Sequence, residues 1–72
     1  MIKYANKSGY SEVWGFKIGR KYIRVLFNDC VERRYTYRSA GEENVEIMKQ
    51  LALKGKGLGT FIYRHVAYRY EK

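Results

Sequence analysis

The sequence predicts an α+β domain in which a three-stranded antiparallel meander is followed by two helices packed on one face of the sheet. Three observations carry that expectation. Residues 10–38 alternate apolar and polar side chains, with turn formers between the runs. Residues 39–54 change to apolar spacings of three and four. A chain of 72 residues has room for one core, so residues 1–72 read as a single small domain.

The first strand comes from Tyr10 to Ile18 (YSEVWGFKI), which sets Trp14, Phe16 and Ile18 on one face and Val13, Gly15 and Lys17 on the other. Gly19-Arg20-Lys21 supplies a turn. Tyr22 to Phe27 (YIRVLF) then presents Ile23, Val25 and Phe27 on the core side and Tyr22, Arg24 and Leu26 on the other, which makes a hairpin. Val31 to Arg38 (VERRYTYR) alternates again. A three-residue loop, Asn28 to Cys30, sets Phe27 opposite Val31, Val25 opposite Arg33, Ile23 opposite Tyr35 and Lys21 opposite Tyr37. A one-residue slip would set Val25 against Glu32. The first nine residues, MIKYANKSG, show no alternation and read as a loosely ordered arm.

Ser39-Ala40-Gly41-Glu42 fits an S-x-x-E capping box, and Glu42, Glu43 and Glu46 complement the positive end of the helix that follows. Val45, Met48, Leu51 and Ala52 form its buried stripe, Ile47 and Leu53 its edges, and Gly55 its C-terminal cap. A shorter second helix, capped by Thr60, stacks Phe61 with His65 and Ile62 with Val66 at i, i+4. Both helices belong on the side of Trp14, Phe16, Ile23, Val25 and Tyr35, because a three-stranded sheet cannot bury its apolar face alone. On that side Tyr35 and Tyr37 pack with their hydroxyls toward the rim.

Fifteen Lys and Arg against seven Asp and Glu leave a formal charge of +8. Such a balance favours polyanionic partners. The charge is segregated. Residues 1–38 carry nine basic and three acidic groups, 39–48 no basic and three acidic, and 49–72 six basic and one acidic. The lone Cys30 excludes an intramolecular disulfide and a cysteine-rich metal site, so the twelve aromatic residues must supply much of the stabilising burial. The start lacks the apolar stretch of a secretory signal and no run spans a bilayer, so the expected location is cytoplasmic and no membrane partner is expected.

The most function-like surface is the solvent face of the sheet, with Lys17, Tyr22, Arg24, Arg34, Thr36 and Arg38, Arg20 at the turn, and Glu32 as the one opposing charge. Arginine forks pair with phosphate in two parallel hydrogen bonds, and a tyrosine beside them offers a ring for an unpaired base. The competing reading is a solvated basic face that discourages edge aggregation. Gly55-Lys56-Gly57-Leu58-Gly59 lacks the spacing of a P-loop and reads as helix termination and a turn, with Lys56 and Thr60 able to meet a backbone phosphate. His65 has no second ligand nearby in sequence, Cys30 sits in a hairpin loop, and neither a catalytic triad nor a paired-carboxylate site is visible. No catalytic residue, metal or cofactor is therefore expected. The candidate nucleic-acid contacts are Lys17, Arg20, Tyr22, Arg24, Arg34, Arg38 and Lys56. The alternative is a protein-interaction domain that pairs through its exposed sheet edge.

From Val13 to Tyr70 the order of features resembles the KTSC domain, a small bacterial domain named after the C-terminal region of some lysyl-tRNA synthetases. The likeness rests on Val25-Leu26-Phe27, the Tyr35-Thr36-Tyr37 pair that is similar to the family's YxY, Met48-Lys49, Leu51-Ala52, Gly55 to Leu58, Phe61-Ile62 and Tyr68. Cys30 stands where the family's turn often has Gly, and Gly59 where Asn is common. The resemblance implies RNA binding, proposed for the family from its attachment to a tRNA synthetase, and carries over no catalytic residue.

Overall fold

The computed structural model describes residues 1–7, 9 and 12–71. It is an α+β arrangement with one antiparallel sheet of four strands in sequential order: β1 (Ile2–Lys3), β2 (Val13–Ile18), β3 (Tyr22–Phe27) and β4 (Glu32–Thr36). Helices α1 (Tyr37–Ala40), α2 (Glu42–Lys54) and α3 (Leu58–Phe61) follow, and α3 runs directly into a π-helical turn at Ile62–Val66. The expected opening of the first strand at Tyr10 and Ser11 lies outside the described residues.

The sheet has four strands, one more than the alternation predicts, because the N-terminal segment is built into the fold. Ile2 pairs with Phe16 and Lys3 with Gly15. Tyr4 is buried, its N–H donates to the Trp14 carbonyl at 2.9 Å, and its hydroxyl accepts from the Leu58 N–H at 3.2 Å. Lys7 N–H donates to the Gly55 carbonyl at 2.7 Å. A two-residue strand is too short to show a period, and one buried ring anchors it. The segment 1–7 is therefore not a loose arm.

The β3–β4 register is the one that the side-chain faces require: Val25 opposite Arg33, Ile23 opposite Tyr35. The hairpin loop closes through Phe27 N–H to the Val31 carbonyl and Cys30 N–H to the Phe27 carbonyl. Cys30 sits at φ 68°, the left-handed conformation that a three-residue hairpin loop needs at its last position and that glycine adopts most readily.

In β2 the face assignment is half right. The register shifts between Val13, opposite Phe27, and Gly15, opposite Leu26, so Trp14 is the extra residue of a β-bulge. Val13 turns into the core and Trp14 out of it, 46% exposed on the side away from the helices. Beyond the bulge, Phe16 and Ile18 face inward as the alternation predicts.

Strand β4 ends at Thr36, before the expected Arg38. Thr36 caps α1: its Oγ1 accepts from Ser39 N–H at 2.9 Å, and Ser39 Oγ accepts from Thr36 N–H at 3.0 Å. This reciprocal pair engages Ser39, so the S-x-x-E box at Ser39 and Glu42 does not form. Gly41, at φ 97°, instead breaks the chain between α1 and α2. Asn44 Nδ2 bridges the break to the Ala40 carbonyl at 2.8 Å. Val45, Met48 and Ala52 bury one face of α2, and Gly55, left-handed at φ 80°, caps its end. Helix α3 begins at Leu58 behind Gly57, two residues before the expected cap at Thr60. Phe61 and His65 do stack, with centroids 4.6 Å apart.

The core joins Tyr4, Val13, Phe16, Ile23, Val25 and Tyr35 to Val45, Met48, Leu58, Ile62 and Val66. Tyr35 is wholly buried, its ring edge-on to Tyr70 with centroids 6.2 Å apart, and its hydroxyl has no partner within hydrogen-bonding distance among the described residues. Burial pushes that hydroxyl's pKa up, while the neighbouring Arg33 charge works in the opposite direction. Tyr35 thus does not reach the rim. Tyr37 does, but from α1 rather than from a strand.

Candidate nucleic-acid interface

The helices cover one face of the sheet and leave the other open. Strand pairing arranges that open face in rows. Lys17 lies opposite Arg24, and Arg24 opposite Arg34, so three cations cross three adjacent strands spaced about 4.8 Å apart. On one side of this row Tyr22 lies opposite Thr36. On the other side the Trp14 bulge and Gly15 face Leu26, which faces Glu32, and Lys3 of β1 extends that row beside Gly15.

Directly opposed like charges in a sheet cost stability on the order of 0.2 to 1 kcal/mol per pair. Only part of that repulsion is relieved. Arg24 Nη2 meets Glu32 Oε2 at 3.0 Å, a surface pair with both side chains about one-third exposed. The Arg34 guanidinium sits 5.6 Å from the centre of the Tyr22 ring. That ring fills the space that a side chain at Gly19 would take, since a Cβ there would come within 2.0 Å of it. Arg24, Glu32, Arg34 and Glu71 line an open cavity of about 250 Å³. Glu71 reaches it because its N–H donates to the Arg34 carbonyl at 2.6 Å, which brings the C-terminal segment alongside β4.

The structure brings together four of the seven candidate contacts, Lys17, Tyr22, Arg24 and Arg34. Arg20 lies in the β2–β3 turn, where its carbonyl accepts from Lys49 Nζ at 3.1 Å. Arg38 belongs to α1 and shares a second surface depression with Ser39 and Glu71, at the β4 edge rather than on the sheet face. Lys56 stands in the turn after α2, next to the Gly55 that meets the N-terminal segment on the helical side. It is therefore not part of this face.

Three contributors escape a reading of the alternation alone: Trp14, Lys3 and Glu71. Trp14 was legible in principle, because a glycine inside a strand pattern, here Gly15, is a bulge signal and a bulge turns the preceding residue over. Lys3 and Glu71 depend on pairings of one or two residues, which leave no period.

Cys30 is exposed in its loop, and His65 lies against Phe61. Among the described residues no group of three His, Cys, Asp or Glu side chains gathers to hold a metal ion. No helix among them is long and apolar enough to cross a membrane. No family model, curated protein or solved structure matches the chain.

Proposed function

We propose that the chain is a small, non-enzymatic, cytoplasmic module that binds RNA or another single-stranded nucleic acid on the open face of its sheet. The observation that carries this reading is the cross-strand row of Lys17, Arg24 and Arg34, flanked by Trp14 on one side and Tyr22 on the other. Single-strand binding needs cations that follow the backbone and rings that accept bases, and both are adjacent here. Arg24 and Arg34 take phosphates, Lys17 adds charge, and Trp14 is the principal stacking ring. Tyr22 is already engaged by Gly19 and Arg34 and plays the lesser part. Arg20 and Arg38 contribute field from the margins. The Arg24–Glu32 pair is no obstacle, because an exposed ion pair is worth about 0 to 1 kcal/mol and exchanges readily for a phosphate.

The alternative of a partner strand pairing at the sheet edge has less support. At one edge β1 offers two residues, and at the other Glu71 already occupies the Arg34 carbonyl. Fluorescence anisotropy with labelled single-stranded RNA, single-stranded DNA and duplex DNA at two salt concentrations tests the choice. An Arg24→Ala, Arg34→Ala, Trp14→Ala variant should lose preferential RNA binding. Equal binding of all polyanions, lost equally by both proteins at physiological salt, would leave the face a solvating surface.

A further inference from the structure

The sheet-face reading leaves a second surface unused. In the π turn Ile62 and Val66 are buried, whereas Tyr63, Arg64 and His65 between them, and Tyr68 and Arg69 beyond, are exposed. Tyr63 is 81% exposed and Tyr68 87%, more than any other large apolar side chain among the described residues. Arg64 and Arg69 form no ion pair among those residues. The sheet face, by contrast, is partly neutralised by Glu32 and Glu71.

Cations near a helix C-terminus complement its dipole, which gives Arg64 and His65 a structural use. That account leaves two tyrosine rings in water with no ring contact among the described residues. π-Helical turns occur frequently at functional sites, and exposed guanidinium groups next to open rings in sequence, as at Tyr63-Arg64 and Tyr68-Arg69, supply both groups that a single strand requires.

We infer that Tyr63, Arg64, Tyr68 and Arg69 form a second single-strand contact surface on the helical side of the domain. Arg64 and Arg69 pair with phosphates, and Tyr63 and Tyr68 receive bases. The inference shares its class of partner with the proposed function but concerns different residues, so each can fail without the other.

The test titrates the ¹⁵N-labelled full chain with an oligouridylate of about six nucleotides, within the length that one small binding surface accommodates. Amide shifts are read residue by residue, for wild type and for a Tyr63→Ala, Tyr68→Ala variant, whose altered side chains are exposed and leave the core intact. The expected result is saturable shifts across residues 63–69, with local affinity reduced at least about thirtyfold in the variant. Shifts confined to residues 14–36 overturn this inference and leave the sheet-face reading standing. Shifts confined to 63–69 support it and overturn the sheet-face reading, and shifts at neither overturn both. Broadening of the amide signals of residues 63–69 by anionic phosphatidylserine vesicles, lost in the tyrosine variant and without oligonucleotide shifts there, would assign the patch to a lipid surface and overturn it.

Discussion

The Tyr37 hydroxyl donates a 2.5 Å hydrogen bond to the Glu46 carboxylate, joining α1 to α2. The same carboxylate meets Lys49 Nζ at 2.7 Å, and that ammonium also donates to the Arg20 carbonyl in the β2–β3 turn. Three side chains thus tie both helices to the end of the sheet, on the side opposite the cationic row.

This lock sets a pH dependence at each end of the scale. The Glu46 hydrogen bond, followed by partial burial, pushes the Tyr37 pKa up to about 12. Tyr37 therefore holds its proton more tightly folded than unfolded. Its contribution is complete below about pH 10 and is lost as pH rises through 12. Glu46 is held below the ordinary carboxylate range, first by Lys49 and then by Tyr37, so its contribution is present above that range and lost as pH falls through the lowered value. Tyr37→Phe should melt below wild type at pH 7, with the difference closing toward pH 12. A melting difference that stays constant from pH 7 to 12 would remove Tyr37 from the lock.

Tyr4→Phe tests the anchoring of the N-terminal segment. Its hydroxyl is the acceptor for the buried Leu58 N–H at the start of α3, and removing it leaves that donor unsatisfied. The expected cost is about 1 to 3 kcal/mol by denaturant unfolding. Unchanged stability would mean that the segment adds little to the fold.

Tyr35→Phe should behave in the opposite way. The Tyr35 hydroxyl is buried without a partner among the described residues, so its removal should be neutral or mildly stabilising while the edge-on contact with Tyr70 persists. A loss of more than about 1 kcal/mol would indicate that the hydroxyl is hydrogen-bonded after all.

Cys30→Gly should raise stability by about 0.5 to 1 kcal/mol. Relief of the left-handed strain at φ 68° outweighs the added freedom of glycine in the unfolded chain. Cys30→Val, β-branched at the same φ, should lower it. Equal stability of the two variants would contradict the loop geometry.

These residues also mark where the sequence is readable. The hairpin register, the buried stripe of α2 and its Gly55 cap follow from side-chain period and backbone preference, which act locally and leave a pattern. The first β-strand and the Glu71 bridge are one- or two-residue pairings held by tertiary contacts, and no window of sequence records them. The start of the helices is not legible in sequence, because two capping candidates overlap at Ser39, and Thr36, three residues earlier, engages its hydroxyl. Of the candidate site, the cross-strand cations were legible once the register was known. The outward face of Trp14 escapes the alternation, because the bulge reverses it, and Gly15 is the one local sign of that bulge.

Trp14, the chain's single tryptophan, supplies the most direct measurement. Its intrinsic fluorescence should be quenched saturably by unlabelled single-stranded RNA, with an affinity that falls steeply as salt rises and that Arg24→Ala, Arg34→Ala loses. Binding registered by anisotropy with no change in Trp14 emission would contradict the sheet-face interface, because a strand seated on the cationic row cannot avoid the ring beside it.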